Sequence, residues 1–257
     1  MSERINYFWR LFATGFSFFM FGAAGFFVWV VLFPLVQIFL GQGTPKKRRS
    51  RYLMHWVLRW YIGLMHHLGL LTYEIHGRER LNQPGRLVVA NHPSLIDILF
   101  LISLIRNATC IVKPALMHNP FMSIPIKAMQ YQYANDPKTL LDRCVAEVLT
   151  GSSLVVFPEG TRTTPGEAMK FQRGAANIAL ESGAKILPVY IHCAPTTLTK
   201  REKWYEIPPR RVHFSLFVGE DIDPAPFANR YRAMAARNLT RHLHSYFVEQ
   251  AIERGHA

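Results

Sequence analysis

Two stretches of the sequence decide the fold: RLVVANHPSLID at residues 86–97 and SLVVFPEGTR at residues 153–162. Each opens with an apolar run of strand length and passes at once into a turn rich in polar side chains. Ligands of α/β sheets usually bind at the carboxyl ends of the strands. We therefore predict two strands whose following turns carry the functional side chains.

Beyond residue 72, short apolar runs alternate with helical stretches, and this alternation favours an α/β domain over residues 72–257. We expect a mainly parallel or mixed sheet flanked by helices. The predicted strands are 72–76, 86–90, 109–112, 130–134, 153–157, 186–191 and 212–218. The predicted helices are 94–105, 115–128, 137–149, 172–182 and 227–253.

An uncharged apolar segment precedes this domain and runs from Leu11 to Pro45. A membrane-spanning helix needs about 20 apolar residues, so the segment is long enough to cross a membrane. Bends near Gly22–Gly25 or at Pro34 would instead make an embedded hairpin, and the sequence leaves both arrangements open. The heavier basic flank, residues 46–51, predicts that the chain after it stays on the cytoplasmic face of the cell inner membrane.

A second membrane-facing element is predicted over residues 50–71. Arg51, His55 and Arg59 recur there at helical spacing, and tryptophans and leucines occupy much of the remaining helix surface. A helix with a basic stripe and a Trp-rich apolar face is typical of the lipid headgroup plane. The alternative is a helix packed on the protein's own core. We assign residues 1–71 to an N-terminal membrane anchor.

Composition and charge narrow the class of protein. The 257 residues are 49% apolar and 18% charged, which argues against a disordered or fibrous chain. The net charge is +13, and residues 1–59 carry eight Lys and Arg against one acidic residue. Because this excess lies beside the apolar segment, it favours attraction to a membrane surface over nucleic-acid binding. The three cysteines have neither disulfide nor metal-site spacing and are expected to be buried reduced thiols, and no metal site is apparent.

The first polar turn holds a histidine and an aspartate, His92 and Asp97. Two residues five apart in one helix point about 140° away from each other, since a helix has about 3.6 residues per turn. The pair can meet only if His92 lies in the turn before the helix and folds back. Pro93 suits a first helical turn and would leave His92 at the mouth of the helix. Asp97 would then orient the imidazole toward a substrate, whereas a simple turn or capping role for His92 is the alternative.

The second polar turn holds an acid, a glycine and an arginine in the run Glu159, Gly160, Thr161 and Arg162. Gly160 permits unusual backbone angles or the close approach of a ligand. Arg162 offers a planar fork that suits phosphate or carboxylate. Glu159 is expected to orient Arg162 or to accept a hydroxyl from a substrate. The alternative is a solvated turn with a surface ion pair.

Together these turns resemble the signature motifs of a known family. NHPSLID at 91–97 and FPEGTR at 157–162 are similar to two motifs of the PlsC-like, or lysophosphatidic acid acyltransferase, family of glycerolipid acyltransferases. Lys113 and Asn119–Pro120 resemble the family's second conserved stretch, and ILPVYI at 186–191 resembles its fourth.

The resemblance spans about residues 72–220 and implies acyl transfer from a thioester, on acyl carrier protein or coenzyme A, to a lipid hydroxyl. It implies that His92 is the general base of an HX4D motif and that Asp97 orients its ring. No cofactor is implied beyond the thioester co-substrate, and membrane lipids are the expected partners. The substrate-binding residues that it implies are Glu159, Gly160, Thr161, Arg162 and Lys113.

Three further expectations concern the reaction. An acyl chain needs an apolar slot, and residues 95–105 and 114–126 are apolar enough to line one or to be ordinary core. Donors to the oxyanion of a thioester are expected around Gly160 or at the helix start near Ser94, and the sequence does not choose between them. No Gly-x-Ser-x-Gly elbow is present, so we expect direct transfer without an acyl-enzyme.

One departure from the family concerns the acceptor. The second conserved stretch usually ends in an acid–arginine pair that helps to hold the acceptor phosphate, whereas residues 131–136 read YQYAND, without arginine. Lysophosphatidic acid and a specialised lipid, such as an aminolipid or a polyene-type glycolipid, therefore both remain open as acceptors. A non-catalytic lipid-binding protein of the same fold is the remaining alternative.

Overall fold

The computed structural model describes residues 3–27, 30–31, 35, 43–118, 126–127, 129–133, 135–163 and 167–256. The α-helices in these ranges are α1 (Glu3–Phe27), α2 (Thr44–His67), α3 (Asp97–Leu104), α4 (Pro137–Leu149), α5 (Gly174–Ser182) and α6 (Arg232–Glu253). The strands are β1 (Leu71–His76), β2 (Leu87–Ala90), β3 (Ala108–Cys110), β4 (Ser153–Val156), β5 (Ile186–Ala194) and β6 (Val212–Val218). Short 3₁₀ helices cover Arg78–Asn82, Pro114–His118 and Ala225–Phe227.

The strands form one sheet in the order β1-β6-β5-β2-β4-β3. β2 runs parallel to both β4 and β5, and β3 runs parallel to β4. β6 is antiparallel to β5 and parallel to β1. The sheet is therefore mixed, as predicted, and the carboxyl ends of β2, β3, β4 and β5 open onto one edge. Both polar turns follow strands that end at this edge.

Helices cover both faces of the sheet, which explains why its central strands are apolar throughout. α2 and α3 pack on one face, where Val88, Phe100 and Phe214 are almost fully buried. α4, α5 and α6 pack on the other face, around Leu87 and Leu154. Every residue of β2 and β4 is buried. Strands that are covered on both faces read as continuous apolar runs rather than as an alternation.

Three predicted elements differ from the structure. Residues 130–134 form no strand among the described positions, because Gln130 adopts a φ of +50° and only Gln132 pairs, in a single bridge with Ile111. α3 begins at Asp97, so Pro93 lies in the turn before the helix and not in its first turn. The helix predicted over 115–128 is a 3₁₀ helix over Pro114–His118, and most of the remainder lies outside the described residues.

α1 is bonded to the domain through Arg10. The buried guanidinium of Arg10 donates to the carbonyls of Pro208 and Pro209, each at 2.7 Å. By length and composition, the segment Arg4–Phe27 could cross a membrane, and only 17% of its most apolar part is buried within the protein. The proposed bend at Pro34 lies outside the described residues, so the choice between one span and a hairpin stays a prediction.

The orientation predicted for the basic stripe over residues 50–71 is wrong for two of its residues, whereas Arg59 is exposed as predicted. α2 turns Arg51 and His55 into the protein, where they are 1% and 4% exposed. His55 is tolerated there because its Nδ1 bonds the carbonyl of Ile102 at 3.1 Å. The exposed face of α2 also carries the aromatic side chains Tyr52, Trp56 and Trp60. The division between an anchor over 1–71 and a domain over 72–257 stays a prediction.

Arg51 connects α2 by several hydrogen bonds to the residues around α4 and the start of β4. Its Nε donates to the carbonyl of Met129 at 2.8 Å, and its Nη1 donates to Ser152 Oγ at 2.8 Å. Its Nη2 donates to Glu147 Oε2 at 3.0 Å, and the other oxygen of that carboxylate binds Lys47. A buried charge is costly unless it is paired and hydrogen-bonded. This network satisfies the guanidinium and thereby fixes α2 on the domain.

Candidate active site

The first polar turn leaves the carboxyl end of β2 and leads into α3. Asn91 pins the start of this turn to β5, because its Nδ2 donates to the carbonyl of Ile191 at 2.8 Å and its Oδ1 accepts the Ile191 N–H at 2.6 Å. Asp97 lies in the first turn of α3. An acidic side chain there is favoured by the partial positive charge of a helix N-terminus. Sequence reasoning quoted Asn91 in the motif but missed this anchoring role.

His92 and Asp97 form a hydrogen-bonded pair, as their spacing allows only for a histidine that lies before the helix. His92 Nδ1 lies 3.0 Å from Asp97 Oδ2, and the same oxygen accepts the main-chain N–H of Ser94 at 2.7 Å. A carboxylate can only accept, so Nδ1 carries the proton in this contact. His92 Nε2 then keeps a free lone pair, which can accept a proton from a hydroxyl.

The two partners of this pair differ in burial. The side chain of Asp97 is fully buried, whereas that of His92 is 16% exposed. Burial raises the pKa of Asp97, and the hydrogen bonds from His92 and Ser94 and the charge of Arg162 oppose this rise. The imidazole stacks on Phe157 with ring centroids 4.1 Å apart, which holds the plane of the ring. One edge of the ring is thus held by Asp97 while part of the ring stays open to solvent.

The second polar turn is bonded directly to the first. Glu159 Oε1 accepts the main-chain N–H of His92 at 2.8 Å, and the His92 carbonyl accepts the N–H of Thr163 at 3.0 Å. Glu159 is 7% exposed, and burial raises its pKa against the opposing hydrogen bonds from Thr163 and His92. The expected pairing of Glu159 with Arg162 is not observed, since no ion pair joins these two described residues. Glu159 braces the His92 turn instead.

Arg162 is held by the loop that follows β5. Its Nη1 donates to the carbonyls of Leu198 and Thr199 at 2.7 and 3.0 Å. The Leu198 carbonyl also accepts the N–H of Leu95 at 3.2 Å, so one oxygen joins the guanidinium to the His92 turn. The histidine and the arginine therefore share one site. Sequence reasoning missed this loop, because threonines and a leucine after a strand carry no distinctive signal.

Gly160 and Thr161 form the crest of the second turn. Gly160 has a φ of +68° and is exposed, and a Cβ there would meet no atom within 4 Å. The backbone conformation, rather than a lack of space, therefore requires glycine. Thr161 is half-buried beside it, and its side chain makes no hydrogen bond with a described residue.

Lys113 is separated from the pair by a strand. It is exposed and lies three residues beyond the end of β3, and β4 lies between β3 and β2 in the sheet. It makes no hydrogen bond or ion pair with any residue in the described ranges. Asn119 and Pro120, which resemble the same conserved stretch of the family as Lys113, lie outside those ranges.

A cavity of about 650 Å³ adjoins the site, between the sheet and the two N-terminal helices. Its lining is almost wholly apolar, and α3 contributes Ile98, Leu99 and Ile102 to it. Leu95, in the first polar turn, and Leu198, in the loop that holds Arg162, also line it. Its size is typical of small-molecule sites, which occupy roughly 300–1,000 Å³. Side chains of the predicted stretch 95–105 thus line an apolar slot.

In the part of the chain that the structure describes, no side chains are arranged to bind a metal ion and no cysteine is exposed. No set of three or more His, Cys, Asp and Glu side chains there could hold a metal ion. The three cysteines are buried, and burial raises the pKa of Cys110 and of Cys144 to about 12. Buried thiols of this kind are inert.

Comparisons with known proteins agree with these motifs. A family model described as Acyltransferase matches residues 72–192. The 1-acyl-sn-glycerol-3-phosphate acyltransferase of Helicobacter pylori is 34% identical over 168 residues, covering 62% of this chain and 70% of that protein. The enzyme of that name from Pseudomonas aeruginosa is 27% identical over 182 residues, covering 67% and 68%. The crystal structure of the 1-acyl-sn-glycerophosphate (LPA) acyltransferase PlsC from Thermotoga maritima aligns with a TM-score of 0.68 at 21% identity, covering 95% of this chain and 98% of that one.

Proposed function

We propose a specific reaction for this chain, which belongs to the PlsC-like family of glycerolipid acyltransferases and is an acyltransferase. It moves a fatty acyl group from a thioester donor, acyl carrier protein or coenzyme A, to a hydroxyl of a lysophospholipid-type acceptor. The observation that carries this proposal is the contact of the His92–Asp97 pair with the Arg162 turn beside an apolar cavity. A base, a cation and an acyl slot are among the groups that such a transfer needs.

His92 is the general base of this reaction. An alcohol is a poor nucleophile until its proton leaves, and a positioned imidazole can take that proton at neutral pH. The free Nε2 accepts the proton while Asp97, bonded to Nδ1, stabilises the imidazolium. His92 then returns the proton to the departing thiolate. No residue forms a covalent acyl intermediate, and no cofactor is required beyond the thioester itself.

Arg162 binds the anionic headgroup of the acceptor. Only its Nη1 is used in contacts with the loop, so the remaining N–H groups of its fork are left for a ligand oxygen. Glu159 supports this headgroup site indirectly through the His92 turn, and Gly160 and Thr161 form its wall. Lys113 is available as a further contact to a long, charged substrate at the same edge of the sheet.

The apolar cavity takes the acyl chain. Burial of each methylene contributes about 0.8 kcal/mol, so a long chain gains much of its binding free energy there. The chain enters past Leu95 and Leu198, beside the turn that holds the base. Residues of α1 and α2 also line this slot, so it lies next to the segment that is expected to meet the bilayer.

Exposed cations on the loops after β4 and β5 favour a polyanionic acyl carrier; these are Lys170, Arg173, Lys200 and Lys203. Acyl carrier protein and coenzyme A both meet this description. Reversing the charge at Lys200 and Lys203 to Glu should raise the KM for the carrier that the enzyme uses, more strongly at low salt. Lys185→Glu, an exposed position at the opposite end of β5, is the matched control and should leave that KM unchanged.

The enzyme works at the cytoplasmic face of the inner membrane. The exposed faces of α1 and α2 carry aromatic side chains, among them Phe8, Phe12, Phe16, Phe19, Trp56 and Trp60. Aromatic side chains of this kind are suited to the boundary between headgroups and acyl chains. Anchoring there presents the site to an acceptor that resides in the bilayer.

The direct test uses purified protein in liposomes with a radiolabelled acyl-CoA or acyl carrier protein and lysophosphatidic acid. We expect wild type to form phosphatidic acid, and His92→Ala to lose at least about 10²-fold in kcat, the lower end of general-base contributions. His242→Ala, an exposed histidine on α6, is the matched control and should retain the wild-type rate. Full activity of His92→Ala, or a trapped acyl-serine or acyl-cysteine, would contradict the mechanism.

A specialised acceptor is the second candidate, and the stretch 131–136 favours it. Asp136 is not available as a headgroup ligand, because its Oδ2 caps α4 by accepting the N–H and hydroxyl of Thr139 at 2.7 and 2.8 Å. The stretch also has no arginine. A panel of acceptors that includes lysophosphatidic acid, a lyso-aminolipid and a glycolipid, read by mass spectrometry, distinguishes the two. Transfer to lysophosphatidic acid alone would exclude the specialised acceptor.

A further inference from the structure

The main-chain N–H of Thr161 has no acceptor among the described residues, although it lies on the turn that is bonded to His92. We propose that this N–H, together with that of Arg162 beside it, is the oxyanion hole of the acyl transfer. The inference rests on the proposed function and assigns a role to two atoms that the motifs themselves do not specify.

The reaction requires such donors at a defined moment. The acceptor oxygen forms a C–O bond to the thioester carbon, the π pair moves onto the carbonyl oxygen, and the hydroxyl proton passes to His92 Nε2. The carbonyl then re-forms, the C–S bond breaks, and the leaving thiolate takes the proton back from His92. Between these two events the oxygen carries a full negative charge, which preorganised N–H groups stabilise.

The N–H groups of residues 94–96, in the turn that leads into α3, are already engaged. The Ser94 N–H donates to Asp97 Oδ2 at 2.7 Å, and the Leu95 N–H donates to the Leu198 carbonyl at 3.2 Å. The Ile96 N–H is directed at Ser94 Oγ at 3.4 Å. An oxyanion there would have to displace the bonds that hold the catalytic pair.

The second turn leaves different donors. The Gly160 N–H closes the turn on the Phe157 carbonyl at 3.0 Å, and the Thr163 N–H holds the His92 carbonyl at 3.0 Å. Phe157 directly follows β4 at the base of the turn, and Glu159 is almost fully buried. The donors that remain at the open crest are those of Thr161 and Arg162, both on half-buried residues.

The crest of the second turn is held in one position relative to His92. Gly160 has a φ of +68°, and this backbone conformation sets the direction of the chain at Thr161 and Arg162. The crest is fastened to His92 on both sides, by the Glu159 carboxylate and the Thr163 N–H. The donors are therefore fixed relative to the base.

The experiment replaces one backbone amide by an ester. The α-hydroxy analogue of threonine is incorporated at position 161 of the full chain, which removes the N–H and keeps the side chain. We expect kcat to fall by about 10²–10³-fold, the effect of losing one oxyanion donor, with KM for both substrates within about twofold. The melting temperature should not change, because this N–H donates to no described residue in the free protein. The same analogue at Thr150, at the end of α4, is the matched control and should leave kcat unchanged.

Each outcome bears on a different claim. An unchanged kcat at position 161 in an active enzyme would overturn the oxyanion assignment and leave the proposed function intact. A fall in melting temperature together with kcat would also overturn it, because the N–H would then be structural. Absence of acyl transfer in wild type with every donor and acceptor tested would instead remove the proposed function.

Discussion

Replacing Asp97 by Asn tests how the carboxylate assists His92. Its Oδ2 accepts both the His92 Nδ1–H at 3.0 Å and the Ser94 N–H at 2.7 Å, and Oδ1 has no partner among the described residues. An asparagine whose oxygen takes the Oδ2 position can therefore keep both hydrogen bonds, with its NH₂ at the unused position. The ring should stay oriented, and only the negative charge should be lost.

The size of the loss follows from this geometry. A charge at this distance stabilises a protonated partner by roughly 1.4–4 kcal/mol. We therefore expect Asp97→Asn to lower kcat by roughly 10–10³-fold, with KM nearly unchanged. Stability should be equal or higher, because burial raises the pKa of Asp97 and its charge is costly in the fold. Asp97→Ala should lose more activity and also about 1–3 kcal/mol of unfolding free energy, since the buried Ser94 N–H is left unpaired.

The assay is the initial rate of transfer from a labelled acyl donor, combined with thermal unfolding of each variant. Asp142→Asn, an exposed aspartate on α4, is the matched control and should match wild type in both. A wild-type rate for Asp97→Asn would remove the electrostatic role. A loss above about 10⁴-fold without a change in melting temperature would show that the amide fails to hold the ring, as in a triad whose tautomer is wrong.

Three further outcomes are expected. Arg51→Met should cost about 3–5 kcal/mol of unfolding free energy, because it leaves Glu147 Oε2 and the carbonyls of Met129 and Gln130 without this donor. The exposed Arg48→Met should stay within about 0.5 kcal/mol, both measured by denaturant titration, and equal values would contradict the network. Burial and the charges of His256 and His213 lower the pKa of His192 from 6.5 to about 4. The unfolded chain therefore takes up the proton first, and the stability of the protein falls as pH drops from 6.5 towards 4. His192→Asn should show a smaller fall in melting temperature over that interval, and an identical fall would exclude His192 as the source of the pH dependence. Ile102→Phe should shift the preference for acyl donors to shorter acyl chains, because the larger side chain fills part of the cavity. Leu149→Phe, at a position that is 67% exposed, is the control. An unchanged chain-length profile would mean that the acyl chain binds elsewhere.

The sequence alone determined the fold class and the condition under which His92 and Asp97 can meet. Continuous apolar runs such as residues 87–90 and 153–156 report burial on both faces, and burial is recorded locally in residue type. Helix geometry requires His92 to lie before the helix if it is to reach Asp97, but a simple turn role for His92 stayed open until the structure showed the contact. The resemblance to the family likewise pointed to Arg162 as a candidate site residue, because the six-residue motif FPEGTR that contains it is specific by itself.

Tertiary structure decided what depends on distant partners. Arg51 and His55 read as a membrane-facing stripe, but they turn inward because acceptors more than 40 positions away satisfy them. Glu159 lies three positions before Arg162 in the sequence, yet its carboxylate accepts the main-chain N–H of His92, which is 67 positions away. The Leu198 carbonyl, which joins Arg162 to the His92 turn, is a main-chain atom that no residue type identifies. Residue identity specifies what a side chain can bond, whereas the packing of β2, β4 and β5 specifies which partner it reaches.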